Sequence, residues 1–80
     1  MKENKITLYQ VLADIFEISF SDINDDMSSD EIESWDSLNT IRMVVEIENI
    51  FLVRLEIDDI SNIRKVSDIY QLLKNNGVDI

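Results

Sequence analysis

Cysteine and histidine are both missing from the 80 residues. Without cysteine, no disulfide and no thiolate metal site can brace the fold. Without either residue, the Ser-His and Cys-His nucleophile pairs and most zinc sites are excluded. Any thiol chemistry must come from an added group. Proline is also missing and glycine occurs once, at Gly77, which argues against an all-β fold full of tight turns. Basic residues are scarce: 7 Lys and Arg stand against 17 Asp and Glu, for a net charge of −10. No Lys or Arg occurs from Ile6 to Ile41, and all nine charged side chains from Asp14 to Asp36 are acidic. Such a field repels nucleic acid and anionic membrane surfaces and attracts basic proteins. It also keeps a small domain soluble, whatever its partners.

No run is long and apolar enough to span a bilayer. Asp14 and Glu17 interrupt the apolar stretch that a signal peptide would need. The expectation is a cytoplasmic, monomeric chain with no nucleic-acid partner and no membrane insertion. Its length makes a single domain over residues 1–80. A domain of this size buries roughly 60–65% of its unfolded surface, enough for one modest core and too little for a deep, walled active site.

Periodicity decides the fold class. Leu8, Val11, Leu12, Ile15 and Phe16 fall on one helical face. Thr7 and Gln10 fit a capping box, with Ile6 and Val11 placed as a hydrophobic staple. The first helix is therefore expected from Thr7 to Ile18. A long acidic loop follows, from Ser19 to Trp35, in which Ile23, Met27, Ile32 and Trp35 can pin the chain to a core. A second helix is predicted from Ser37 to Phe51. Val53 to Ile57 alternates like a strand but has no pairing partner, so it is expected to be an extended link. Asp58 to Ile63 suits a short helix. Val66, Ile69, Tyr70 and Leu73 mark a last helix, with Gly77 just beyond its end. The predicted fold is all-α: a small bundle of three main helices and one short helix, with a long loop between the first two.

Trp35-Asp36-Ser37-Leu38 sits where the acidic loop becomes the second helix. A helix N-terminus offers unpaired N–H groups and the positive end of the macrodipole, so a phosphate ester on Ser37 would be stabilised there. Asp and Ser are also favoured at helix starts simply as caps, and the four letters alone fit either role. Their setting adds more. Asp36-Ser37-Leu38 follows a long acidic loop and opens an apolar helix containing Glu46-Ile47-Glu48 and Phe51. Asp58-Asp59-Ile60 and Val66-Ser67-Asp68 follow. This arrangement resembles the acyl carrier protein family over nearly the whole chain.

The resemblance implies a carrier and not an enzyme. A phosphopantetheinyl transferase, with Mg²⁺, would join Ser37 to 4′-phosphopantetheine from coenzyme A, and cargo would ride as a thioester on the terminal thiol. Asp36 would help the transferase complex form and Leu38 would touch that enzyme. An acyl- or aminoacyl-loading ligase and acyltransferase or synthase enzymes would be the other partners. Fatty acid, hydroxy acid, amino acid and polyketide extender all fit as cargo. Asp36 resembles acyl carriers more than peptidyl carriers, which usually have Gly before the serine. Trp35 resembles stand-alone carriers of specialised pathways. Asn39, Arg42 and Ile50 depart from the family's commonly acidic helix, which points to a dedicated pathway.

Helical geometry divides the second helix into two apolar rows. Met43, Val44, Ile47 and Phe51 face a core. Leu38, Ile41 and Val45 form another row roughly 100–150° around, expected to dock partners beside Ser37, with Arg42 at its rim. The competing expectation is that the acidic loop covers this row through Ile23, Met27 or Trp35. Two rival functions follow from other features. Asp22, Asn24, Asp26, Asp30 and Glu33 occupy relative positions 1, 3, 5, 9 and 12 of an EF-hand calcium loop, although Met27 stands where that loop needs Gly. A helical adaptor would use the same apolar row with Ser37 unmodified.

Overall fold

The computed structural model describes residues 2–80. Four α-helices form among them: α1 Lys2–Phe16, α2 Ser37–Phe51, α3 Ile57–Ser61 and α4 Val66–Asn75, with a 3₁₀ turn at Phe20–Asp22 between α1 and α2. There is no strand among the described residues, only an isolated antiparallel bridge between Ser28 and Lys65. The chain is thus an all-α bundle of three longer helices and one short one, with the long loop where the sequence places it.

The predicted helical faces are the buried ones. Leu8, Leu12, Met43, Ile47, Ile69 and Leu73 are at most 1% exposed, and with Val66 they form the centre of a single core. Phe51 packs half-buried at its edge. The bounds of α2 agree with the expected ones because a capping Asp and an apolar period mark both ends. The start of α1 does not agree. The helix begins at Lys2, and the Thr7 hydroxyl donates to the Glu3 carbonyl at 2.9 Å inside the first turns, so it is no N-cap. Tertiary contacts account for the five extra residues. Asn4 donates to the Asp79 carbonyl at 2.8 Å, and the Lys5 ammonium lies 5.7 Å from the Tyr9 ring centroid and 5.5 Å from that of Tyr70. α1 also ends two residues early, at Phe16, where Glu17 takes φ 56 and the Ile18 N–H reaches back to the Ala13 carbonyl at 3.1 Å. Ile57 belongs to α3 and not to the extended link, and α3 stops at Ser61, leaving Ile63 to turn into the core at 5% exposed. Gly77 has φ +86 just past α4, as its position predicts.

The long loop is fastened at several points. Ile23, Ile32 and Trp35 are buried, and Met27 is half-buried. The Tyr9 hydroxyl donates to the Asp25 carboxylate, which also faces the Lys5 ammonium at 3.7 Å. The Asp25 and Met27 carbonyls accept from the Ser67 and Val66 N–H groups, each at 3.0 Å, and the Arg64 carbonyl accepts from Ser29 N–H at 2.9 Å. These bonds also satisfy orphan donors at the start of α4. The Asp68 carboxylate takes two more, from Arg64 N–H at 2.8 Å and Lys65 N–H at 3.0 Å.

Two consequences can be measured. Ile47 is fully buried and Ile41 is 61% exposed, although both lie on α2. Ile47→Ala should cost about 2–5 kcal/mol, as buried Ile truncations do. Ile41→Ala should stay within about 0.5 kcal/mol. Urea titration followed by circular dichroism checks both. The second consequence concerns alkaline pH. Burial raises the Tyr9 phenol above its ordinary 10.0, with the Asp25 hydrogen bond adding to it, and burial likewise pushes up the Tyr70 phenol, whose buried hydroxyl has no hydrogen-bond partner. The folded chain therefore keeps protons that the unfolded chain gives up above about pH 10. Stability from these groups is complete below that value and falls as pH rises past it. The Tm should be level from about pH 8 to 9.5 and decline above about pH 10, and Tyr70→Phe should flatten the decline.

Candidate functional site

Ser37 is the first residue of α2, and it is exposed. The residue before it sets the helix start. Asp36 has the extended backbone of an N-cap, φ −107 and ψ −177, and its carboxylate accepts the Asn39 N–H at 2.9 Å. The Asp36 carbonyl accepts both the N–H of Thr40, at 2.9 Å, and its hydroxyl, at 2.8 Å. The capping role of Asp36 is thus real, and it leaves Ser37 free. The Thr40 bond is the first of the helix's own ladder; of the orphan N–H groups before it, that of Asn39 is taken by the cap, while those of Ser37 and Leu38 have no hydrogen-bond partner among the described residues.

A chain of hydrogen bonds fixes this helix start to the rest of the fold. Arg42 donates to the Asn39 side-chain oxygen at 3.3 Å, and the Asn39 amide donates to the Ser34 carbonyl at 2.8 Å. The Ser34 hydroxyl donates to the Phe16 carbonyl, also at 2.8 Å. Beside it the Phe16 and Trp35 rings stack with centroids 4.9 Å apart at 23°. Sequence reasoning singled out Trp35 but missed the part of Asn39 and Ser34. Asn39 appeared only as a departure from an acidic surface, and nothing in the letters tied it to a loop carbonyl.

The expected docking row is uncovered. Leu38 is 66% exposed, Ile41 61% and Val45 49%. The loop does not fold over it, because Ile23, Ile32 and Trp35 are committed to the core. Arg42 is exposed too. It lines an open groove between α1 and α2 with Asp14, Glu46, Val11, Ile15 and Ile50.

The chain has no His or Cys, so neither a Ser-His nor a Cys-His pairing is available at Ser37. A phosphate ester on its oxygen would meet two free N–H groups and the positive helix end. The neighbouring Asp36 carboxylate is occupied by its cap bond. The residues present therefore fit a phosphodiester-linked arm: Ser37, which is exposed, would hold it, and the Ser37 and Leu38 N–H groups would face its phosphate.

The acidic loop does not gather its EF-hand-spaced ligands. The Asn24 side-chain oxygen accepts from Asp26 N–H at 3.0 Å in a local turn. The Ser28 carbonyl, at the seventh position where an EF-hand offers a backbone ligand, accepts from Glu31 N–H at 3.1 Å, and the Met27 carbonyl accepts from α4. Among the described residues no three Asp, Glu, His or Cys side chains converge to hold a metal ion. No helix of the described residues is long and apolar enough to cross a membrane.

Comparison of the chain with protein-family models and with curated proteins gives no match.

Calorimetry with calcium at physiological salt should give weak, non-stoichiometric heats, because clustered carboxylates attract any divalent cation without a wrapped loop. One-to-one micromolar binding that disappears in Glu33→Gln would restore the calcium module.

Proposed function

We propose that this chain is a carrier domain: it holds an acyl or aminoacyl group as a thioester on a 4′-phosphopantetheine arm attached to Ser37, and it presents that group to partner enzymes. The observation that carries the reading is an exposed serine at the first position of a capped helix, with two free N–H groups beside it and an uncovered apolar row running away from it. The arm would supply the thiol that the chain lacks. The protein's own residues would do the remaining work. Asp36 sets the helix start and so the direction of the Ser37 oxygen, while Leu38, Ile41 and Val45 give partners an apolar strip next to it.

A phosphopantetheinyl transferase with Mg²⁺ is the first partner. In its reaction a bond forms between the Ser37 oxygen and the phosphorus on the pantetheine side of coenzyme A. The anhydride bond breaks, the nucleotide bisphosphate leaves, and the serine proton is lost to the transferase. A loading ligase and acyltransferases or synthases of a fatty-acid, polyketide or other specialised pathway would then act in the cytoplasm. The chain itself catalyses none of these steps. Arg42 favours partners that place an acidic group at the rim of the row, and therefore a dedicated set of enzymes.

The test is mass spectrometry of the intact protein after incubation of the apo form with coenzyme A, Mg²⁺ and a broad-specificity phosphopantetheinyl transferase. The mass should rise by one phosphopantetheine, and Ser37→Ala should abolish the gain. An unchanged wild-type mass with several such transferases would leave the apolar row to a helical adaptor and end the carrier reading.

A further inference from the structure

The far end of α2 has a feature that the Ser37 site does not use. Leu52 caps the helix with φ 56 and ψ 48, and it is 87% exposed. A left-handed backbone suits Gly or Asn, and a leucine in water gains nothing from burial. Both features oppose folding, so folding does not account for leucine here. The residue is nonetheless held firmly. The Leu52 and Val53 N–H groups both reach the Glu48 carbonyl, and the Glu48 carboxylate accepts Leu55 N–H at 2.9 Å. Five residues on, Ile57 opens α3 at 82% exposed. These are the two most exposed large hydrophobic side chains among the described residues. They flank the link 53–56 and lie within about 18 Å of each other by chain length alone. Glu46, Glu48, Glu56, Asp58 and Asp59 surround them in sequence, against Arg54 as the single cation of that stretch.

We propose that Leu52 and Ile57 form a second protein-docking surface, whose occupant is a partner protein presenting an apolar pocket rimmed by Lys and Arg. The charge of the segment selects this occupant. Five carboxylates against one guanidinium repel an anionic membrane, and they repel a second copy of this chain just as they attract a basic rim. The surface is separate from the Ser37 end: fifteen helical residues place Leu52 roughly 22 Å along the α2 axis from Ser37. A partner can therefore occupy it while another works at the serine. The proposal goes beyond the carrier reading and does not require it.

The experiment uses the full ¹⁵N-labelled chain and two synthetic amphipathic helical peptides, both with leucines on one face. One carries Lys and Arg on the other face, and its twin carries Glu at the same positions. The basic peptide should shift the amide signals of residues 49–59 saturably and the acidic twin should not. Leu52→Asn should weaken binding by at least about tenfold, leave the transferase-dependent mass gain at Ser37 unchanged and keep the Tm level or higher. Leu52→Gly should also keep or raise the Tm. No response to the basic peptide, equal response to both, shifts centred on residues 38–45, or undiminished binding in Leu52→Asn would each overturn the proposal. A clear drop in Tm for both variants would assign Leu52 to the fold and overturn it as well. Failure of the mass gain in the unaltered chain would count against the carrier reading alone.

Discussion

The contact on which the site depends joins the last residue of α1 to the residues just before α2. Phe16 stacks on Trp35, and its carbonyl receives the Ser34 hydroxyl. Both rings are buried, and together they close the long loop onto the core only two residues before Ser37. Closing a loop of about twenty residues costs conformational entropy whatever its sequence. The chain has no cysteine for a disulfide, so other contacts must offset that cost, apolar ones among them. An aromatic pair of this geometry is worth about 0.5–1.5 kcal/mol beyond its buried area. Placed at the loop's end, it sets where α2 begins. Were it lost, Asp36 could still cap a helix, but the end of the loop would no longer be fastened beside that helix start.

Acidity and burial are kept apart by the same loop. The acidic side chains Asp22, Asp26, Asp30, Glu31 and Glu33 are all exposed, while Ile23, Ile32 and Trp35, interleaved with them, are buried. Among the described residues no polar or charged side chain is buried. The charge of −10 is therefore carried on a surface where solvent and salt screen it. It costs the fold little and remains available to a basic partner. Asp25 is the exception, half-buried between Tyr9 and Lys5. There a negative charge fastens the loop to α1, and its backbone carbonyl fastens it to α4.

Much of this fold was legible in the sequence. α2 could be bounded to the residue because Asp36 caps it and Met43, Val44 and Ile47 keep the helical period. Gly77 marked the end of α4 because only the left-handed region explains a lone glycine there. The division of α2 into a buried row and an exposed row also followed from 100° per residue. The start of α1 did not, because Lys2 to Ile6 carry no strong apolar period. They are helical through contacts with Tyr9, Tyr70 and Asp79 that join distant parts of the chain. The calcium-like spacing in the loop was a weak signal for the opposite reason. Spacing along a chain matters only if the backbone wraps around one point, and here the Met27 and Ser28 carbonyls are turned to other donors. The Asn39–Ser34 bond was illegible because an amide side chain has many partners within reach and the letters do not choose among them.

α2 divides its two faces between different tasks. Its inner face carries three of the core's buried residues, including the fully buried Met43 and Ile47. That face makes it a rigid element rather than an isolated fifteen-residue helix, which would be marginal in water. The outer face is then free to carry residues that folding does not need: Leu38, Ile41 and Val45 near Ser37, and Leu52 at the far end. Leu52 costs of the order of 1–2 kcal/mol in backbone strain alone, a sizeable share of the total stability of a small domain. A helix can hold such a residue only if its other face contributes a surplus. The buried row of α2 is thus what allows its exposed row to stay apolar without serving the core.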